Sequence, residues 1–156
     1  MVTVTELEPV ASPCVCATLR RATRAVARLY DDALEPSGLR TTQFSILARL
    51  EAEGPFALGR LAARLGMDRR TLAHELGPLV RAGLVDEARG ADRRRRMLSL
   101  SPAGAARLEA ARPAWRATQR TLRAELGRDR TDGLLEELRA VAAVASALMR
   151  DGAATS

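Results

Sequence analysis

RGADRRRRMLSLSPAG, residues 89–104, sets four consecutive arginines between an Ala-Asp step and an alternating apolar and polar run that ends in Ser-Pro. A run of like charge is ordinarily a solvated face or a disordered tail. The flanks give this one a different setting. LVDEAR (84–89) precedes it and MLSLS (97–101) closes it; both are short, apolar and out of helical rhythm, so the pair reads as a β-hairpin that carries its charge at the tip. Ser101-Pro102 then supplies a helix cap followed by a proline at the first helical position.

Working upstream, Asp68 is placed to cap a helix over RRTLAHELGPLVRAG (69–83). Leu72, Leu76 and Leu79 form its buried stripe, Gly83 ends it, and the interior Pro78 is expected to kink it or change its geometry in the last turn. A short helix before it runs through Leu58, Leu61 and Leu65 to Gly66. Another, capped by Thr41 or Thr42, turns Phe44, Leu47 and Leu50 inward and stops at Gly54-Pro55. The first helix is expected to be capped by Ser12 with Pro13 at its first position; Val15, Leu19, Ala22, Val26, Leu29 and Ala33 recur at steps of four and three until Pro36-Ser37-Gly38. Downstream, Leu108, Ala111, Trp115, Thr118 and Leu122 share a face before Gly127. A last helix from near Thr131 repeats Leu134, Leu138, Val141, Ala145 and Leu148.

Four helices, a hairpin and two helices make a mainly α chain with a small β-hairpin wing. Two short helices joined at Gly66-Met67-Asp68 and followed by a charged hairpin are the parts of a winged helix-turn-helix, in which one helix reads the major groove and the wing reaches the neighbouring backbone or minor groove. The expected organisation is a flexible start (1–12), a DNA-binding region (39–101), a helical dimerisation region (13–38 with 102–150) and a flexible tail (151–156). The long first, fifth and sixth helices carry heptad-like seams around a small reading head, so their apolar faces are expected to close against a second copy of the chain. Val15, Leu19, Leu134, Leu138, Val141 and Leu148 are the interface candidates.

Composition narrows the function. At 156 residues and 47% hydrophobic content the chain is one ordinary domain with a real core. Its formal net charge of +6 suits a polyanionic partner, since neutralising phosphates releases counterions, although an anionic membrane surface would satisfy the same charge. Every one of the 25 Lys and Arg positions is arginine, which fits planar bidentate recognition and equally a bias spread through the chain. No apolar run reaches the roughly 20 residues that span a bilayer, and MVTVTELEPVASP lacks a basic start followed by an apolar core, so a cytoplasmic, nucleoid-associated protein without a membrane partner is expected. Cys14 and Cys16 are too few for a disulfide framework or a tetrahedral site. With one histidine, no Gly-rich phosphate loop and no paired catalytic carboxylates, neither an enzyme nor a metal or other cofactor is expected.

The residues resemble the MarR family of bacterial transcription regulators over about residues 14–150. DRRRRMLSLSPAG is similar to that family's wing pattern, here Asp92, Arg94, Leu100, Ser101 and Gly104, with Ser101 in place of the usual threonine and its capping hydroxyl retained. LGRLAARLGMDRRTLAHELGPLVRAGLV is similar to the reading head, and TTQFSILARL to the helix before it. The resemblance implies a homodimer that binds a palindromic operator, represses transcription and releases DNA when a small molecule or an oxidant reaches it. It also implies that Arg94 enters the minor groove, oriented by Asp92, where negative potential is concentrated.

The residues of the DNA-binding candidate are Thr42, Arg69, Arg70, Thr71, His74, Asp92, Arg93, Arg94, Arg95 and Arg96. Arginine pairs with guanine and threonine meets a thymine methyl, while Arg69 and Arg70 could equally touch phosphate alone. For sensing, Cys14 and Cys16 are either small buried hydrophobes or a reactive pair, because a helix start beside Arg20 and Arg21 is where a reactive cysteine is expected. Cys16 resembles the reactive cysteine of the family's hydroperoxide-sensing branch, which precedes a tyrosine by fourteen residues, as Cys16 precedes Tyr30. That branch has a further tyrosine where this chain has Arg20. The competing reading is an interaction module that binds acidic partners or any nucleic acid without a sensing role.

Overall fold

The computed structural model describes residues 14–89 and 96–154. The chain divides into two compact units, Met1–Trp115 and Arg116–Ser156.

In the first unit, α1 (Val15–Leu34) passes through a 3-10 turn (Glu35–Ser37) into α2 (Thr41–Glu53), strand β1 (Phe56–Ala57), α3 (Leu58–Leu65), α4 (Arg69–Arg81), the hairpin β2 (Val85–Arg89) and β3 (Arg96–Leu100), and the start of α5 (Pro102–Leu126). The core is a leucine cluster. Leu47, Leu61, Leu72, Leu79, Leu98 and Leu108 are fully buried, and Phe44 stacks on Trp115 with ring centroids 5.5 Å apart. Each short helix contributes one apolar stripe at helical spacing, which is how the sequence pattern becomes a single core.

Several boundaries differ from the sequence reading. Helix α1 begins at Val15 with Cys14 at its N-cap and no side-chain cap, while Ser12 and Pro13 lie outside the described residues. The α1 stripe exists but faces outward in the single chain: Val15, Val26 and Leu29 are exposed, and only Tyr30 and Leu34 at the far end are buried. Arg40, not Thr41 or Thr42, is the N-cap of α2, because Gln43 reaches back to accept from the Arg40 backbone N–H at 3.1 Å and Asp31 accepts from the Thr41 N–H at 2.7 Å. Helix α4 continues as α-helix through Pro78 to Arg81. Pro78 stands on an exposed side, so the His74 carbonyl that it deprives of a donor can be hydrated instead.

The sheet has order β1-β3-β2, antiparallel throughout. Strand β1 was not anticipated; two residues are too short to show alternation, and it exists because buried Phe56 pairs with Leu98 and Ala57 with Met97. The expected hairpin is present in register, Val85 opposite Leu100 to Arg89 opposite Arg96.

The end of that hairpin is locked to the helices. Buried Ser101 donates its hydroxyl to the Gly83 carbonyl at 2.6 Å and accepts from the Gly104 N–H at 2.9 Å, and its own N–H reaches the Leu84 carbonyl at 3.2 Å. The backbone of Gly104 approaches so closely that a Cβ there would lie 2.0 Å from the Leu84 oxygen.

In the second unit, Gly127, at a φ of +85°, separates α5 from α6 (Arg128–Ala154). The last helix starts three residues before Thr131, since buried Thr131 donates both its N–H and its hydroxyl to the Gly127 carbonyl and lies inside the first turn. Leu134, Leu138, Val141, Val144, Leu148 and Met149 are all exposed. Among the described residues no helix is long and apolar enough to cross a membrane.

Ser101→Ala is expected to lower the unfolding free energy by about 1–3 kcal/mol, because the buried Gly104 N–H and the part-buried Gly83 carbonyl lose their partner. Gly104→Ala should cost at least as much by steric conflict with the Leu84 carbonyl; urea unfolding of the two variants beside the parent checks both.

Candidate nucleic-acid interface

Helices α3 and α4 are joined by Gly66 in the left-handed region (φ +64°), with the Met67 N–H returning to the Ala62 carbonyl at 2.9 Å. That tight stop leaves Asp68 as the N-cap of α4. One carboxylate oxygen accepts from the Thr71 N–H at 2.9 Å and the other from the Thr71 hydroxyl at 2.5 Å. These bonds, the hydroxyl's first, hold the Asp68 carboxyl below its ordinary range. Arg69, Arg70 and Thr71 therefore sit exposed in a well-capped first turn, with His74 exposed one turn further on.

The two sides of α4 differ in charge. On one side, α3, α4 and the sheet form an open groove of about 1040 Å³ lined by Leu58, Leu76 and Val80 and by Arg60, Arg69, Arg81 and Arg96. Arg60 also lies over the Phe56 ring, 5.6 Å from its centroid. Among the described residues, Glu87 is the acid that lines this groove, paired with Arg96 at 3.5 Å. On the other side is a smaller cavity of about 550 Å³ lined by His74, by the four acids Asp31, Asp32, Glu35 and Glu75, and by Arg40. A polyanion is attracted to the first side and repelled from the second.

Of the sequence candidates, Arg69, Arg70, Thr71 and His74 come together on α4, and Arg96 stands exposed at the base of the wing. Asp92, Arg93, Arg94 and Arg95 lie outside the described residues. Thr42 is half-buried in the first turn of α2, on a different element. Cys14 and Cys16 are free and exposed at the start of α1, against the reading of small buried hydrophobes. Cys16 and Arg20 share a helix face one turn apart. Tyr30 is buried, which raises its phenol above the ordinary value, and along one helix it lies about 21 Å from Cys16 at 1.5 Å per residue, so the pair does not meet within one chain. The sequence reading did not single out Arg60 or Arg81. The available signal was helical phase, Arg81 being three turns from Arg70 on the same face.

A capped helix with an exposed basic first turn, set behind a second helix and beside a β-hairpin, defines a winged helix-turn-helix DNA-binding protein. Comparison with known proteins gives the same class. Residues 41–88 match the model of a helix-turn-helix domain family. The transcriptional regulator MosR of M. tuberculosis, solved in complex with DNA, is 39% identical with a TM-score of 0.76, covering 86% of this chain and 97% of its own. The transcriptional repressor CouR, bound to a 23-mer duplex, is 30% identical with a TM-score of 0.78 over 88% and 99%. The PcaV regulator of Streptomyces coelicolor, solved with its natural ligand, is 25% identical with a TM-score of 0.78 over 90% and 99%. Comparison with curated protein sequences gives no match.

The chain belongs to the MarR family of winged helix-turn-helix transcription regulators. It is a DNA-binding transcriptional regulator, and the family consists of regulators rather than enzymes.

Asp68→Ala is expected to lower Tm at neutral pH. A carboxyl whose folded pKa is depressed below 3.8 contributes stability that is present above the unfolded pKa and lost as pH falls through the folded one. The Tm difference between variant and parent should therefore be full above about pH 5 and shrink below about pH 4, as thermal melts across that range would show.

Proposed function

We propose that the protein is a homodimeric repressor that grips a palindromic operator through α4 and the wing arginines and lets go when a small molecule binds or Cys16 is oxidised. The observation that carries the DNA contact is the exposed basic first turn of α4 beside an arginine-lined groove. Arg69, Arg70, Thr71 and His74 are assigned to the DNA contact made by α4. Arg93 to Arg96, with Asp92 orienting Arg94, are assigned to the flanking backbone and minor groove. Repression is supported by the likeness to CouR, and a small-molecule inducer by the likeness to PcaV.

The dimer rests on apolar surface. Val15, Val26 and Leu29 on α1, and Leu134, Leu138, Val141 and Leu148 on α6, are 37–67% exposed in the single chain, and on each helix they recur at helical spacing, as apolar interaction surfaces do. A second copy related by a two-fold axis covers such faces and presents two reading heads about one helical turn of DNA apart. Footprinting on the DNA upstream of the protein's own gene should protect two inverted half-sites. A preference below about tenfold over random duplex would instead support the acidic-partner reading, since specific sites gain about 10³ or more.

Leu138→Asp places a charge in the shared seam and is expected to abolish both the dimer and operator binding, read by sedimentation and mobility shift. A folded monomer with parental operator affinity overturns the shared core.

For sensing, an exposed Cys16 in the first turn of α1 is open to hydroperoxide, which would oxidise the thiol to a sulfenic acid and itself leave as the alcohol. Peroxide is expected to release the parent protein from its operator, while Cys16→Ser binds normally and ignores peroxide. Equal release of both proteins removes the thiol switch and leaves the small molecule as inducer.

A further inference from the structure

The first turn of α4 places two adjacent arginines in different surroundings. Leu72, Leu76 and Leu79 define the buried direction of the helix. At about 100° per residue, Arg69 falls roughly 50° from that direction and Arg70 roughly 150° from it. The side-chain positions agree. The Arg69 guanidinium lies folded along α3, its Nε and Nη2 each 3.0 Å from where a Cβ on Gly59 would stand, so it occupies space that only a glycine leaves open. Arg70 points to solvent, and no hydrogen bond or ion pair holds its side chain among the described residues. Next to it, the Thr71 hydroxyl is committed as a donor to Asp68, so Thr71 offers DNA its methyl group and an acceptor but no donor.

We infer that Arg70 is the base-reading arginine and that Arg69 is a phosphate contact held beside α3. This rests on the sequence-specific operator binding proposed above. In a helix-turn-helix, the second helix enters the major groove while the first crosses the sugar-phosphate backbone. A guanidinium lying along the first helix accompanies the backbone, whereas one projecting from the outer face of the second reaches base edges, where the bidentate match of arginine is the O6 and N7 of guanine. Arg60, exposed on the same helix as Gly59, adds charge of the kind that positions without specifying.

The test uses the full-length protein and a duplex enriched by the wild type from a random pool. Affinities of Arg69→Ala and Arg70→Ala are measured on that duplex, on every single-base-pair variant of one half-site, and on a scrambled duplex across salt concentrations. Both residues are exposed and outside the core, so both variants should keep the parental circular dichroism. Arg70→Ala should lose about tenfold or more of discrimination at one G·C pair and keep its preferences elsewhere. Arg69→Ala should weaken selected and scrambled duplexes by the same factor, keep every base preference and reduce the salt slope by about one. Relaxed preference at a base pair in Arg69→Ala, or retention of every preference in Arg70→Ala, overturns this assignment alone. Enrichment of no sequence by the wild type overturns the assignment together with the reading beneath it.

Discussion

The contact on which the reading head depends is the bond from the Ser101 hydroxyl to the Gly83 carbonyl, made while the same oxygen receives the Gly104 N–H. It joins the end of α4, the start of β2, the end of β3 and the first turn of α5 in a space that admits no side chain at Gly104. A hydroxyl can donate once and accept from another group in the same place, and this one does both while buried, where an unmade bond is costly. The β2–β3 hairpin and α4 are thus anchored at the same point, which ties the positions of two separate elements to each other.

Charge then orients the reading head. The groove side of α4 gathers arginines from α3, α4 and β3, and the opposite side carries four acids against one arginine, Arg40, with His74 among them. Individually such exposed charges add little to stability. Their value is directional, because a duplex approaching the wrong side of α4 meets like charge. His74 stands on the acidic side yet only one turn beyond Arg70, at the border between the two fields.

Much of this was legible beforehand because it is local. The Asp68 cap, the stop at Gly66, the inward leucines of α4 and the paired runs around the arginines each depend on residues within a turn or a strand of one another. The misreadings were also local: Gln43 competed with Thr41 and Thr42 for the first turn of α2, and an exposed Pro78 did not end its helix. Strand β1 was invisible because its partner, Leu98, lies more than forty positions away.

By itself the sequence determined the element order, the caps and stops, the amphipathic stripes and the accumulation of arginine near the wing, all set by backbone propensity and periodicity over short range. Only the tertiary structure decided which face of each stripe is covered. The α4 leucines are buried, whereas Val26 on α1 and Leu138 on α6 stay in water, although all of them show the same spacing. It also decided that Arg69 lies against Gly59 while Arg70 does not. Adjacent positions with the same side chain carry the same propensity. They acquire different roles only when a neighbouring helix, ten residues back in the chain, arrives on one side of them and not on the other.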